Sequence, residues 1–151
     1  MRSHGPESEI WDRIKAFHGD LCLGSVMGAR IGLAAKDQLK KAGGEGKLKA
    51  AYHAHSCAVD GIQVAAGTTV GGRNLEVINR NEHRLELTAV GNGKKVAARL
   101  TGKAEGKGSL YRELTKKAKE LQDASPEHEA AEKEKTVIFN WFLAAPDSDV
   151  V

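Results

Sequence analysis

The sequence predicts an α+β protein, a small antiparallel sheet packed with helices, in a single domain over residues 1–151. Three observations carry that expectation. Apolar residues recur at helical spacing toward both ends of the chain, three runs in the middle alternate apolar with polar residues, and a Gly-Asn-Gly-Lys turn joins the last two of those runs. A length of 151 residues is about one domain, and 40% hydrophobic content is enough to build one core.

Residues 7–17 place Ile10, Trp11, Ile14 and Phe17 at helical spacing, and Gly19 stands where a left-handed cap would end that helix. Asp20 suits an N-cap for a second helix over residues 21–41, striped by Leu23, Met27, Ile31 and Ala34 or Ala35 and broken by Gly-Gly-Glu-Gly. Within it Gly24, Gly28 and Gly32 recur every fourth residue. Each glycine costs roughly 1 kcal/mol relative to alanine inside a helix, so such a row implies close approach of another backbone. Residues 48–55 are a strand candidate, and residues 57–66 are a short apolar helix with Ser56 as N-cap. The runs LEVINR, HRLELTAV and KVAARLTG form an antiparallel meander. Residues 109–122 are polar with Leu110, Leu114, Ala118 and Leu121 on one face, a surface helix. Ser125 before Pro126 starts the last helix and Pro146 stops it, with Val137, Ile138, Trp141 and Phe142 near its end.

Composition narrows the partners. Lys plus Arg exceed Asp plus Glu by 23 − 20 = +3, and eight positive and eight negative charges balance between Lys103 and Lys135. No nucleic-acid footprint results. No run approaches the roughly 18 to 20 apolar residues of a membrane helix, and MRSHGPESE lacks the apolar core of a signal peptide, so the expected address is the cytoplasm, with no membrane partner. Two cysteines exclude a small disulfide framework. In a reducing compartment they are as readily a metal or thiol site as a bridge.

Two short stretches, residues 17–22 and 53–60, hold the chemically expensive groups. Cys22 and Cys57 fall in the first turns of their helices, where exposed amides and the helix dipole favour thiolate. Thiolate and imidazole suit zinc; structural sites take four such ligands, catalytic ones three plus an open position. His18, Cys22 and Cys57 supply three, the open arrangement. His55, two residues before Cys57 on a strand, would close the shell as a fourth. Asp60, three residues after Cys57, can orient a histidine, take a proton or bind substrate. The plainer readings are two small buried cysteines, a capping His18, strand or surface roles for His53, His55 and His83, and an Asp60 that balances the helix dipole. Iron, cobalt, nickel and copper accept the same donors.

Read together, FHGDLCLGSVMGARIGLAA and CAVDGIQVAAGTTVGGRNL resemble the family of the formylmethanofuran dehydrogenase E-subunit and its stand-alone relatives. The family pattern runs Phe-His-Gly-His-Leu-Cys-Pro-Gly, a glycine-rich helix, Cys-Ala-Val-Asp-Ala-Ile-Gln, Thr-Gly-Cys-Thr and Gly-Asn-Leu. The resemblance implies a dimeric α+β domain with a metal pocket, usually zinc, at His18, Cys22 and Cys57. Asp60 and Gln63 match the acidic and amide positions that follow. The chain departs from the pattern where the second histidine is Asp20, the proline is Leu23 and the cysteine of Thr-Gly-Cys-Thr is Thr68, in Ala66-Gly67-Thr68-Thr69, and where the family's Asp-Tyr-Gly-Lys stretch is Asn79-Arg80-Asn81-Glu82. Some relatives also carry a C-terminal four-cysteine zinc ribbon, which two cysteines cannot form.

The leading expectation is thus a homodimeric zinc protein whose site acts on a small molecule. Asp60 would be the catalytic acid or base, with Asp20, His55 and Gln63 contacting substrate. A second expectation is a non-catalytic carrier of a metal or pterin-type cofactor for a molybdenum or tungsten enzyme. The third is a thiol redox protein using Cys22 and Cys57.

Overall fold

Isoleucines one helical turn apart start the chain's packing. In the computed structural model, which describes residues 5–151, helix α1 (Ser8–His18) buries Ile10 and Ile14, and Gly19, at φ 102°, ends it by donating its N–H to the Lys15 carbonyl at 2.9 Å. The expectation that no signal segment is present rests in part on residues 1–4, which lie outside the described residues.

Helix α2 (Leu23–Lys41) is the central element, with Val26, Ile31, Ala34, Ala35 and Leu39 all buried. Its N-cap is Cys22, whose sulfur accepts the Ser25 backbone N–H at 3.5 Å; the expected cap, Asp20, stands two residues too early. The glycine row does what its spacing predicts. Helix α3 (Ala58–Ala66) lies against it so closely that a methyl group at Gly28 would overlap the Ala58 carbonyl, and one at Gly61 the Ser25 carbonyl. Ser56 contributes a hydrogen bond to the start of α3, its hydroxyl accepting from the Ala58 N–H at 3.2 Å, although Cys57 holds the cap position.

Four strands complete the sheet: β1 (Leu48–Tyr52), β2 (Leu75–Val77), β3 (Arg84–Ala89) and β4 (Lys95–Arg99), in the spatial order β2-β1-β3-β4. β1 and β3 are antiparallel, with Leu48 opposite Ala89 and Tyr52 opposite Leu85, and β3 and β4 form the expected hairpin. The expected antiparallel meander is corrected at β2. It pairs parallel to β1, Ala50 opposite Leu75, because α3 carries the chain back before β2 begins, a crossover that parallel strands require. The sheet is therefore mixed.

Helix α4 (Gly102–Glu120) begins seven residues before the expected start, capped by the Thr101 hydroxyl, which accepts from the Ala104 N–H at 3.1 Å. Gly102, Gly106 and Gly108 concealed that first half. Its buried face is Ala104, Gly108, Leu114 and Ala118, and Leu110 is exposed instead of inside. Helix α5 (Pro126–Ala144) starts at the Ser125 cap as expected and buries Ile138 and Phe142, while Val137 is exposed. A last turn, α6 (Asp147–Val150), follows Pro146.

The inward residues Tyr52, Leu85 and Leu87 of the sheet meet Ile31, Ile62 and Phe142 of the helices in one core, and a smaller cluster of Ile10, Ile14, Ala29 and Ala65 seats α1. Arg30 is wholly buried on α2. Its guanidinium donates to the Phe142 and Ala145 carbonyls at 2.8 and 2.5 Å and meets Asp147 at 3.1 Å, fastening the chain's end to the central helix. Among the described residues no helix is long and apolar enough to cross a membrane.

Candidate metal centre

Three helix ends converge. His18 is the last residue of α1, Cys22 the N-cap of α2 and Cys57 the N-cap of α3. The Gly19 turn folds α1 back onto α2, and Gly24, where a methyl group would come 3.0 Å from the Cys57 Cβ, lets the start of α3 reach the start of α2. One ligand atom from each of His18, Cys22 and Cys57 falls within 4.8 Å of the other two. His18 Nε2 stands 3.5 Å from Cys22 Sγ. Tetrahedral zinc with bonds of about 2.0–2.3 Å sets neighbouring nitrogen and sulfur ligands about 3.5–3.8 Å apart, so the donor types suit that ion and the His18–Cys22 distance matches it.

The histidine is held from behind. Its Nδ1 is 2.6 Å from Asp60 Oδ2, the other Asp60 oxygen accepts from Gln63 Nε2 at 3.0 Å, and Gln63 Oε1 accepts the Val70 backbone N–H at 3.1 Å. This chain of bonds turns Nε2 toward the sulfurs. The hydrogen bond to Asp60 raises the pKa of His18 against the opposing pull of burial. Burial pushes the Cys22 thiol up, but its hydrogen bonds with the Ser25 hydroxyl and amide, then with Cys57 and His18, outweigh it and leave the thiol below its ordinary range. Cys57 goes the other way, raised by burial and then by the neighbouring Cys22 thiolate. The expectation that both thiols are lowered is corrected accordingly: two adjacent sulfurs cannot share one electrostatic advantage, and the better-capped one takes it.

The remaining expected site residues are spread around this centre. Asp20, 73% exposed, has an oxygen 3.6 Å from His18 Nε2. Asp60 is bonded to His18, and Gln63 braces Asp60 with both ends of its amide occupied. His55 is exposed and outside the donor group. The expected strand over residues 48–55 ends at Tyr52, so the alternation that would have aimed His55 inward stops before reaching it. His53 turns inward instead, 3.0 Å from Glu86. Both cysteines are free thiols.

Two neighbours escaped the sequence reading. Ser25 supports the Cys22 sulfur, and its position three residues after an N-cap is the spacing of a helix-capping pair. Tyr111 on α4 is raised by burial, by Glu132 and by the charge of Cys22, so it lies within electrostatic reach of the site. Nothing in the local sequence of α4 marks that proximity.

The profile of the family described as "FmdE, Molybdenum formylmethanofuran dehydrogenase operon" matches residues 17–151. Among solved structures, the chain is similar to a tungsten formylmethanofuran dehydrogenase E-subunit (FmdE)-like protein from Syntrophus aciditrophicus. The likeness has a TM-score of 0.60 and 19% identity, and covers 91% of this chain and 68% of that one. At that identity the likeness is one of fold. No curated protein matches.

Proposed function

The chain belongs to the FmdE family, and on that basis we propose that it is a metal-binding protein holding one zinc ion through His18, Cys22 and Cys57, with a fourth position for a small molecule. The observation that carries this reading is the convergence of the three donors within 4.8 Å at three helix ends, with the outer nitrogen of the histidine braced by Asp60. A carboxylate behind a ligating histidine fixes its tautomer and raises its basicity. Zinc in such a site would supply Lewis acidity toward a carbonyl or a water molecule. The chain's own contributions are an exposed Cys57 edge that admits a ligand, Asp20 at the rim to contact it, and the Asp60 and Gln63 brace that keeps His18 aimed. A homodimer and a cytoplasmic address belong to the same reading.

The family description ties its members to the operon of a molybdenum enzyme, which supports a carrier role for the same site. An enzyme loses turnover when the site is altered, whereas a carrier hands its metal or cofactor to a partner. The adjacency of the two sulfurs favours one other reading, a reversible Cys22–Cys57 disulfide.

The deciding experiment is metal content per chain on protein purified without a nickel column, for wild type, Cys22→Ser and Cys57→Ser. About one equivalent of zinc in wild type, lost in both variants, is the expected result. Metal-free wild type with two titratable thiols that oxidise together and recover with reductant would replace the metal reading with the redox one.

A further inference from the structure

A cleft of about 480 Å³ opens between α2, α4 and the adjoining ends of β3 and β4, and none of the three clustered donors lines it. Met27 and Leu100, both buried, form its apolar floor. Gly108 keeps that floor open, since a methyl group there would come 2.6 Å from the tip of Met27.

Three polar groups face this floor with spare capacity. Tyr52 is wholly buried, and its hydroxyl stands 2.5 Å from His83 Nδ1. The phenol is the donor, because the reverse bond would seal its hydrogen away from any acceptor. Burial, and then the charge of Arg112, hold His83 below its ordinary pKa against the pull of Glu105, so the neutral ring carries its hydrogen on Nε2. Among the described residues that N–H meets no protein acceptor. Arg112 donates to the Ser109 hydroxyl at 3.1 Å, which engages a single N–H of the five that a guanidinium offers. Glu105 lies two turns earlier on the same helix, roughly 10 Å along its axis, and forms no ion pair among the described residues. The other two charges of the cleft, Arg99 and Glu82, neutralise each other at 3.4 Å, with Arg84 also on Glu82.

An apolar floor with an uncompensated cation and a neutral N–H at one end, and an uncompensated anion at the other, defines a ligand chemistry. We infer that this cleft binds a small zwitterion, its carboxylate on Arg112 and His83 Nε2, its ammonium toward Glu105 and its apolar body over Met27 and Leu100. The site shares no residue with the proposed zinc centre and goes beyond that reading.

The test is 4-(aminomethyl)benzoate, which carries carboxylate and ammonium at opposite ends of one ring, titrated into isotope-labelled full-length protein. The readouts are the Met27 methyl and His83 imidazole resonances, both outside the donor group and compared at fixed metal loading. Saturable shifts at both are expected, weakened about tenfold by Arg112→Gln, the loss of a charged hydrogen-bonding partner. Glu105→Gln should weaken binding about threefold, as should replacing the probe with benzoate or benzylamine. Arg112 and Glu105 are exposed, so an unchanged backbone spectrum serves as the folding control. Shifts that do not saturate by about 10 mM, or an affinity indifferent to Arg112→Gln, overturn the site. Benzoate binding as tightly as the zwitterion, with Glu105→Gln silent, overturns the zwitterion assignment.

Discussion

His18 Nδ1 and Asp60 Oδ2, 42 residues apart in the chain, stand 2.6 Å from each other. That bond joins the end of α1 to the first turn of α3 and leaves Nε2 as the only imidazole nitrogen for Cys22 and Cys57 to share. Its consequence is measurable in two states. In metal-free protein His18 should titrate above 6.5, and Asp60→Asn should lower the midpoint, read from its Cε1 proton by NMR. The sign follows from linkage: the raised value stabilises the fold fully below about pH 6.5, and that gain is lost as pH rises through the folded-state value. In the loaded protein Asp60→Asn should weaken zinc about 10–100-fold while leaving one equivalent bound at saturation. Unchanged affinity would mean that Asp60 serves something other than the histidine.

The glycine row links packing to the same centre. Gly28→Ala drives a methyl group into the Ala58 carbonyl, a backbone atom that cannot swing aside, and should cost about 3 kcal/mol in urea denaturation despite the better helix propensity of alanine. Gly32→Ala comes no nearer to a neighbour than 3.2 Å, at the Ala65 Cβ, and should be far milder. Gly24→Ala presses on the Cys57 Cβ at 3.0 Å, so it should loosen metal binding more than it loosens the fold. Equal effects on both would deny Gly24 its role in setting the spacing of the sulfurs.

These residues also mark what a sequence can and cannot disclose. The every-fourth-residue glycines, the Gly19 cap, the Ser125–Pro126 start and the grouping of His18 with two helix-start cysteines are local patterns whose physics acts within a few residues, and all are found in the fold. The partner of β2 is decided elsewhere, by the length and placement of α3, so alternation in LEVINR could not distinguish parallel from antiparallel pairing. The first half of α4 was hidden because three glycines oppose helix formation and only packing against α5 and α6 overrides them. No local pattern marks Arg30 as a core residue, since the carbonyls that satisfy it lie at the end of α5, 112 and 115 residues along the chain.

Glu86 gives the fold an acid limit. Its carboxyl is pushed down to about 2 by Lys95, then His53 and Arg84, with Lys95 Nζ 2.5 Å away. A depressed carboxylate contributes stability that is present above its unfolded value of about 4.3 and is lost as pH falls through about 2. The stability difference between wild type and Glu86→Gln should therefore be largest near neutrality and close across that window. Added salt should shrink it, since Lys95 is exposed. A difference that persists undiminished at pH 2 would assign the effect to packing around His53 instead of charge.

The ion pair of Arg30 with Asp147 tests how the end of the chain is held. Arg30 is 0% and Asp147 1% exposed, and the guanidinium also serves the carbonyls of Phe142 and Ala145. Arg30→Met fills similar volume but removes the guanidinium from a carboxylate that stays buried, and should cost about 3–5 kcal/mol. If the charge of Asp147 beside the lost guanidinium dominates that loss, Arg30→Met combined with Asp147→Leu should recover much of it, because replacing both groups with apolar side chains removes the buried charge as well. If the two carbonyls dominate, the double variant should be no more stable than Arg30→Met, since neither new side chain can donate to them. Denaturation midpoints of the three variants separate the cases. The buried position of the pair favours recovery, as a charge sealed away from water is costlier to leave than two neutral carbonyls.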